Sequence, residues 1–435
     1  MPTYIDLFSG VGGFSEGFLQ AERGNLHYDF LLASDINPTC ALSHYMRYNR
    51  QLGLQTKFLC ESITEPDYLS HLREMLDGQA VDVITGGPPC QSFSMNGRRA
   101  LGDARDDLFT YYLKVIEALR PKYFVMENVV GILTKDSGRI YRRILNSIAA
   151  ICDSDDQPLY ALNVMRLQAS NYGVPQNRER VIFLGSRYDQ IPIKEIPPTT
   201  HNLVTVEEAL GDLNFLRVNE HLYEYGLAKS ASFPCRFRTI DGKLLRKPSH
   251  EHEKYHTYSE WSRIGRLNPS RFPTINACEF LPASSLEQFS EDSLVSAKLQ
   301  NHESSRHSHQ VQDRYALIRQ YGSYRKAKLA EPDNPLLKTK KRSYACLDAT
   351  KPAPTITTIP DDFVHYGCNR ALTVREMARL QSFDDSFVFQ GKRSTGGILR
   401  RSETPQCTQV GNAVPPLMAR AIANEILKHI DTKDS

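Results

Sequence analysis

The sequence has no apolar run approaching the ~20 residues that a helix needs to cross a bilayer. Its first ten residues, MPTYIDLFSG, have neither the basic start nor the apolar stretch of a secretory signal. The nine cysteines are odd in number and include no CxxC pair. These absences argue against a membrane-spanning protein and a disulfide framework, and we expect reduced thiols in the cytoplasm.

With 435 residues the chain can bury a substantial core, and we expect two domains. The formal net charge of +3 is unevenly distributed. Residues 193–403 hold 31 Lys and Arg against 25 Asp and Glu, whereas the remainder holds 22 against 25. This pattern suits a polyanion-binding insert in a metabolite-binding domain, although a solvated surface explains so modest an excess about equally well.

Residues 1–190 alternate between apolar runs and helical stretches. Buried parallel strands are predicted at 3–8, 30–34, 81–85, 123–127 and 180–184. Helices are predicted between them at 41–49, 68–76, 108–119 and 139–150. This succession predicts an α/β fold with a doubly wound, mostly parallel sheet. Because such sheets bind ligands beyond the carboxyl ends of their strands, functional residues are expected just after each apolar run.

After residue 191 the alternation ends in a Pro-rich joint, IPIKEIPPTTHN. From there to about residue 366 the pattern predicts turns, short strands and polar loops. Residues 284–309, rich in Ser, Glu, Gln and His, are expected to form an exposed excursion. A helix is predicted at 373–381, with Thr373 and Glu376 in a capping box. A last amphipathic helix, predicted at 416–430, should pack against the first domain.

Three glycines follow the first predicted strand, in DLFSGVGGFSEGF. Gly10, Gly12 and Gly13 predict a tight turn that brings backbone close to a ligand. The spacing is G-x-G-G rather than the G-x-G-x-x-G of a dinucleotide site, and no phosphate-loop Lys-Ser/Thr follows. A small cofactor with little or no phosphate is therefore favoured. Asp35, after the second strand, is placed to bind a ribose or to cap the helix after Pro38.

The loop after the third predicted strand, GGPPCQSFSMNGRR, presents Cys90 at the same edge of the sheet. Stiff prolines and polar neighbours fit an inert core cysteine poorly and predict a nucleophile. The fourth strand ends at Glu127, which is either an acid/base group or a salt-bridged structural residue. Arg178 and Arg180 precede the fifth strand and could bind a carbonyl oxygen or pair with Glu127.

Two further features have a weaker claim to function. His250, His252 and His256 have a spacing that can bind metal, but without nearby cysteine pairs we predict no metal site. The single tryptophan, Trp261, lies in a basic neighbourhood, where core packing is favoured over contact with a base.

Six segments, in this order, resemble the motifs of the cytosine-C5 DNA methyltransferase family. DLFSGVGGFSEGF is similar to its cofactor motif, GGPPCQSFS to its catalytic loop, ENV to its cytosine-binding motif and QNRERVIF to its arginine motif. RALTVREMARLQSFDDSF and QVGNAVPPLMARAIANEI are similar to its two closing motifs. The resemblance covers residues 1–190 and 350–430 and is highly specific, since six motifs in fixed order hardly arise by chance. Between these two stretches the similarity is weaker, as expected for the family's variable target-recognition region.

This resemblance implies a Rossmann-like methyltransferase domain that binds S-adenosylmethionine. It assigns contacts with the cofactor to Phe8, Gly10, Gly12, Asp35, Pro89 and Asn412. Two positions depart from the family's pattern. Ile36 stands where an aromatic residue often stacks on adenine. Ser62 stands where an acidic residue is expected, so that either Ser62 or the neighbouring Glu61 would make the third cofactor contact.

The resemblance also implies DNA (cytosine-5-)-methyltransferase activity. Cys90 would add to C6 of a cytosine flipped out of double-stranded DNA, beneath a closing loop at 91–103. Glu127 would act at N3 of the ring, Arg180 would bind O2 and Arg178 would orient the site. Residues 1–192 and 404–435 are expected to form the catalytic domain. Residues 193–403 are expected to form a smaller, irregular target-recognition domain that binds DNA.

A stand-alone prokaryotic or phage enzyme of a restriction–modification system is expected, monomeric on DNA and associated with the nucleoid. It is either an orphan enzyme or paired with a cognate restriction endonuclease. One alternative is a tRNA cytosine-C5 methyltransferase built on the same motifs. That branch looks different after Pro-Cys-Gln, where this chain reads Ser-Phe-Ser. A catalytically silent DNA-binding homologue is the other alternative, but Pro-Cys and Glu-Asn-Val are both intact.

Overall fold

The computed structural model describes residues 1–89, 108–213, 222–226, 237–239, 244–245, 267–268, 271–272, 296–297, 301–339, 344–394 and 404–430. Its largest element is a seven-stranded sheet with the order β3-β2-β1-β4-β5-β7-β6. The strands are β1 Thr3–Leu7, β2 Asp29–Ser34, β3 Lys57–Leu59, β4 Val83–Gly86, β5 Tyr123–Val129, β6 Tyr160–Gln168 and β7 Glu179–Arg187. All neighbouring strands pair in parallel except β7, which runs antiparallel to both β5 and β6.

Helices cover both faces of this sheet. One face carries α1 Gly13–Leu19, α2 Pro38–His44, the π-helix Tyr45–Gln51 and the last helix, α11 Pro416–His429. The other face carries α3 Tyr68–Leu76, α4 Leu108–Leu119 and α5 Arg139–Ala149. A separate hydrophobic core fills the space between the sheet and the helices on each face. The predicted doubly wound, mostly parallel sheet is therefore confirmed.

The strand predicted at 180–184 was expected to be parallel, and this is wrong. The chain leaves β5 through α5, forms the unpredicted strand β6 at the sheet border, and returns as β7 between β5 and β6. Most side chains of β6 are only half-buried, so its sequence lacks the strong apolar run that marks the central strands. The reversal brings the first residues of β7 to the edge where the parallel strands end.

The helix predicted at 41–49 begins earlier and changes type. Asn37 caps it by accepting a hydrogen bond from the Thr39 N–H, and Pro38 occupies its first position. Residue 45 starts the π-helix, a rare form often found near functional sites. Because Asn37 is the cap, the structure rejects the alternative that Asp35 caps this helix. The helices predicted at 68–76 and 108–119 are confirmed.

Residues beyond 191 contain more helix than the sequence pattern predicts. The structure has α6 Val206–Leu210, α7 His309–Tyr321 and α8 Tyr324–Ala330. The last two contradict the prediction of turns, short strands and loops before residue 366. Ser308 and Ser323 cap these helices, a signal visible in the sequence. Only Tyr315 and Ile318 of α7 are buried. The apolar periodicity that would predict a helix is therefore weak in this segment.

The remaining elements are short or lie near the C-terminus. The capping box is confirmed, because Thr373 and Glu376 exchange hydrogen bonds at the start of α9, Val374–Leu380. The exposed excursion expected at 284–309 is wrong in part, since His302, Ser304 and Ser305 are buried whereas Glu303 and Arg306 are exposed. Other elements are α10 Gln406–Asn412, the 3-10 helices Val130–Leu133, Lys135–Gly138, Ala169–Tyr172, Gly211–Leu213, Pro335–Leu337 and Pro360–Asp362, and the strands Glu22–Arg23, Leu26–His27, Gln176–Asn177, Leu222–Gly226, Phe237–Thr239, Leu244–Leu245, Ser296–Ala297, Ala345–Cys346, Ala353–Pro354 and Phe363–Val364.

Two packing arrangements tie the C-terminal half to the sheet. A third core joins Val11 of the glycine turn with Val206, Met377, Cys407 and other apolar residues between 204 and 413. Helix α11 packs against α1, as predicted from its amphipathic pattern. No helix within the described residues is long and apolar enough to span a bilayer.

Candidate active site

A cavity of about 570 Å³ lies at the carboxyl edge of the parallel strands. Its wall includes most of the predicted site residues: Phe8, Gly10, Asp35, Ile36, Ser62, Pro89, Glu127, Arg178, Arg180 and Asn412. Residue Gly12 is not part of the wall, and Cys90 lies outside the described residues, as do residues 91–103, the three histidines at 250–256 and Trp261. The size is that of a site for one small organic ligand.

The glycine turn forms one end of the cavity. Phe8 and Gly10 both have left-handed backbone conformations, with φ of 52° and 53°. Gly12 has φ of 94° and is the N-cap of α1, where a side chain would collide with the Tyr48 hydroxyl. Gly13 packs so closely on Val414 that a Cβ would lie 2.2 Å from its carbonyl oxygen. Packing therefore requires glycine at Gly12 and Gly13, and the left-handed backbone favours glycine at Gly10.

Asp35 is held by the turn that it faces. Its Oδ2 accepts a hydrogen bond from the Gly10 N–H and its Oδ1 accepts one from the Asn37 N–H, both at 2.9 Å. Burial raises the pKa of Asp35, while these two N–H groups act in the opposite direction. A carboxylate can accept about four hydrogen bonds, so each oxygen retains capacity for a ligand hydroxyl.

Glu61 and Ser62 both line the cavity after β3. The Ser62 hydroxyl is engaged with Thr64, bonding to its hydroxyl at 2.8 Å and accepting from its N–H at 3.3 Å. The Glu61 carboxylate lies 2.9 Å from Nδ1 of His71. The Ser62 oxygen thus serves a local turn, and Glu61 is the only acidic residue of this pair.

Glu127 and Arg180 form an ion pair at the other end of the cavity. Oε1 of Glu127 lies 2.6 Å from Nε of Arg180, and each side chain is just over a tenth exposed. The Nε–H of Arg180 is not well aligned with this oxygen, so the contact is a close ion pair rather than a well-formed hydrogen bond. A Cβ on Gly87 would lie 3.4 Å from Oε2 of Glu127. The Gly-Gly-Pro-Pro segment that leads to Cys90 therefore passes directly beside this carboxylate.

Arg178 is placed differently from Arg180. Its guanidinium is buried and donates to the backbone carbonyls of Ile356 and Gly411, at 3.2 and 3.1 Å. Burial lowers the pKa of Arg178, and the positive charge of Arg180 adds to this effect. Arg178 thus borders the cavity while joining β7 to residues 356 and 411.

Two polar residues of the quoted motifs, to which the sequence assigned no separate role, support the site. Asn128, next to Glu127, donates to the carbonyl of Pro88 at 3.1 Å and so holds the segment before Cys90. Asp6 is buried under the glycine turn, where it accepts hydrogen bonds from Ser15 and Thr85. An acidic residue within an otherwise apolar strand was a sequence signal for Asp6. Nothing in the sequence indicated the partner of Asn128.

The fold and the cavity together define an α/β protein with a site for a small ligand beside a Glu–Arg pair. The chain belongs to the C-5 cytosine-specific DNA methylase family, whose sequence model matches residues 3–428. Its activity is accordingly methylation of DNA at C5 of cytosine, and the tRNA and catalytically silent alternatives are not favoured.

Individual relatives agree with this family. The chain is 31% identical to the type II methyltransferase M1.HphI of Haemophilus parahaemolyticus, over 98% of this chain and 87% of that protein. It is also 31% identical to M.DdeI of Desulfomicrobium norvegicum, over 97% and 88%. Among solved structures, a prophage-encoded DNA modification methyltransferase of E. coli matches with a TM-score of 0.63 at 23% identity, covering 98% of this chain and 99% of that one. This last similarity concerns the fold.

Proposed function

We propose that the protein transfers a methyl group from S-adenosylmethionine to C5 of a cytosine flipped out of double-stranded DNA, with Cys90 as covalent nucleophile. One observation carries this proposal. The Glu127–Arg180 ion pair lies at the end of the cavity, directly beside the segment that leads to Cys90. A carboxyl, a guanidinium and a thiol in this order are the groups that activation of a cytosine ring needs.

The residues of the cavity fit S-adenosylmethionine. Asp35 can accept from ribose hydroxyls, and Phe8 and Ile36 provide apolar contact for an adenine. The carboxylate of Glu61 suits a ligand that carries positive charge. The hydroxyl of Ser9 lines the cavity, is buried and has no hydrogen-bond partner among the described residues, so a polar ligand atom would satisfy it. Ser62, Pro89 and Asn412 complete the proposed set of contacts, with Gly10 in the turn and Gly12 supporting it.

When bound, the cofactor supplies an electrophilic methyl group, which cytosine C5 alone is too weak a nucleophile to take. In the proposed reaction the Cys90 thiolate adds to C6, and the electrons of the C5–C6 double bond shift toward C5. Glu127 would deliver a proton to N3, which keeps the ring neutral, and C5 would take the methyl group as the bond from methyl to the cofactor sulfur breaks and S-adenosylhomocysteine leaves. A base removes the proton from C5, the double bond re-forms, the thiolate departs and N3 returns its proton to Glu127.

The two arginines have separate proposed roles. Arg180 donates to O2 of the ring from its guanidinium, which lines the cavity. Its ion pair with Glu127 also fixes the position of that carboxyl. Arg178 contributes through position, because its guanidinium binds two backbone carbonyls and holds the start of β7 against the residues around Asn412.

DNA is the proposed macromolecular partner. We assign target recognition to residues 193–403 and catalysis to residues 1–192 with 404–435, the recognition part being attached through the third core. The names of the type II relatives support a place in a restriction–modification system, beside a cognate endonuclease. Such an enzyme would act as a monomer on host DNA in the cytoplasm.

The experiment first maps the methylated sequence by bisulfite sequencing of DNA from cells that express the protein. A duplex with 5-fluorocytosine at that position is then incubated with the protein and S-adenosylmethionine. Fluorine permits attack and methylation but cannot leave as the C5 proton does, so a covalent complex that survives denaturing electrophoresis is expected.

Cys90→Ser should abolish this complex, because a hydroxyl is far less ionised than a thiol. Cys60→Ser is the matched control, since Cys60 is exposed and the adduct should persist. An adduct that remains in Cys90→Ser, or methylation by the unmodified protein without any adduct, would contradict the mechanism.

A further inference from the structure

A basic surface lies on helix α5 and the turn before it. Lys135, Arg139, Arg142 and Arg143, which we call the α5 basic surface, are accompanied by one acidic residue, Asp136, which pairs with Arg139. Residues 135–149 thus carry a net charge of +3, as large as the formal net charge of the whole chain. Helix α5 itself contains no acidic residue.

The charges of this surface point away from the core. Helix α5 buries Ile140, Ile144 and Ile148 on the side that faces the sheet. Arg142 and Arg143 are exposed, and 70% of the Arg139 side chain is accessible. The opposite side of the helix is therefore an arginine-rich face available to a partner.

Two connections place the α5 basic surface beside the active-site cavity. Val129 lines the cavity, and the two short 3-10 helices at 130–138 lead from it directly into α5. The guanidinium of Arg143 lies 5.3 Å from the ring centroid of Phe109, the residue after cavity-lining Leu108. The surface therefore flanks the cavity at the end where Glu127 lies.

The start of α5 and the turn before it are not built for maximal stability. Arginines in the first turns of a helix oppose its dipole, whose amino end is already positive. Asp136 and Ser137 have φ of 51° and 53°, a conformation uncommon for residues other than glycine. Residue types and backbone conformations that are locally unfavourable, but are kept in place by the surrounding structure, are characteristic of functional positions.

We propose that the α5 basic surface binds the phosphate backbone of the DNA duplex beside the target cytosine. This inference rests on the proposed function, because a DNA duplex is the polyanion presented to this side of the cavity. Guanidinium groups bind phosphate through paired, charge-assisted hydrogen bonds. The catalytic domain thereby holds the duplex from its own side, in addition to the recognition assigned to residues 193–403.

The test compares Arg139→Gln/Arg142→Gln with the unmodified protein. Affinity for a fluorescein-labelled DNA duplex of arbitrary sequence is measured by anisotropy over a series of salt concentrations, since binding to phosphate does not depend on sequence. Removing one charge that neutralises a phosphate should reduce the slope of log affinity against log salt by about 0.9, so the double variant should show a slope lower by nearly 2. Binding of S-adenosylmethionine should be unchanged, which also shows that the variant is folded.

Two matched variants separate binding to phosphate from other causes. Arg139→Lys/Arg142→Lys keeps both charges and should retain most of the slope. Arg73→Gln removes a charge at the opposite edge of the sheet, where Arg73 donates to the carbonyl of Ala118 near the end of α4. This variant should bind DNA as the unmodified protein does.

An unaltered slope in the glutamine variant would show an ordinary solvated face and overturn the proposal. So would an equal reduction in the lysine variant or in Arg73→Gln. Bisulfite sequencing with the unmodified protein tests the proposed function separately. Methylation together with an unaltered slope therefore refutes this inference alone.

Discussion

At the scale of single residues, Glu127 is the group on which the proposed chemistry depends most. Glu127→Gln keeps the shape of the side chain and a hydrogen bond, but an amide cannot deliver a proton to N3. We expect the single-turnover rate of methylation to fall about 10²–10⁴-fold, the usual contribution of a positioned acid. Affinities for DNA and S-adenosylmethionine should change little.

Glu179→Gln is the control for this variant. Glu179 begins the same strand as Arg180 but forms an exposed ion pair with Arg166 at 2.7 Å. Its substitution should leave the rate unaltered, because surface pairs contribute little. A normal single-turnover rate in Glu127→Gln would return Glu127 to a structural role.

Asp6 allows a prediction about pH. Its carboxylate accepts from the hydroxyls of Ser15 and Thr85, both at 2.7 Å, and burial raises its pKa from 3.8 to about 6. A raised pKa in the folded state means that the protonated form stabilises the protein below about pH 4. This contribution of about 3 kcal/mol is lost as the pH rises through 6.

Asp6→Asn should remove that dependence. Urea unfolding of both proteins at several pH values from about 4 to 7 measures the difference in unfolding free energy. The unmodified protein should lose stability relative to Asp6→Asn as the pH rises. Parallel curves would show that Asp6 is no more difficult to ionise in the fold than in the unfolded chain.

At the scale of elements, the contact between α1 and α11 leaves no room for a larger side chain. A Cβ on Gly17 would lie 2.4 Å from Cβ of Ala419 and 2.6 Å from the backbone of Pro416 and Arg420. Because backbone atoms cannot move aside cheaply, Gly17→Ala should destabilise the protein by about 1–3 kcal/mol. Gly131→Ala is the control and should be nearly neutral, because no atom of the described residues lies within 4 Å of a Cβ built there. Thermal and urea unfolding compare the two, and equal stabilities would contradict this packing.

Several elements follow from local sequence and others do not. The helix α3 and the capping box of α9 were predicted because their signals lie within a few residues of one another. The π-helix was not predicted, since Arg47 within it forms a buried pair with Glu16 of α1 at 2.8 Å. Such a contact with a distant element is not visible in any local pattern of the sequence.

At the scale of the whole molecule, target specificity should be separable from catalysis. We expect exchange of residues 193–370 with those of a relative of different specificity to transfer the pattern of methylated sites. The first block of motifs ends near residue 191, where a basic, irregular stretch begins. Leu347, Ala353, Ile356 and Phe363 within the exchanged segment contribute to the third core. The junctions must therefore preserve these apolar contacts. Bisulfite sequencing reads the outcome, and a pattern that stays with residues 1–190 would refute the assignment.

The sequence by itself determined the chemical content of the site and most of the sheet. Buried parallel strands are continuous apolar runs, and the residues that follow them must reach one edge, so Asp35 and Glu127 could be placed there. Motif order alone was enough to indicate the family, which the match over residues 3–428 confirms.

Only the tertiary structure decided how these residues meet. The sequence could not decide whether Glu127 pairs with an arginine, because Glu127 and Arg180 are more than fifty positions apart along the chain. The unpredicted β6 reverses β7, which brings Arg180 to the Glu127 carboxylate and turns Arg178 toward the carbonyls of Ile356 and Gly411. Apolar periodicity describes which side of an element is buried, but pairing between strands depends on contacts that no local pattern contains.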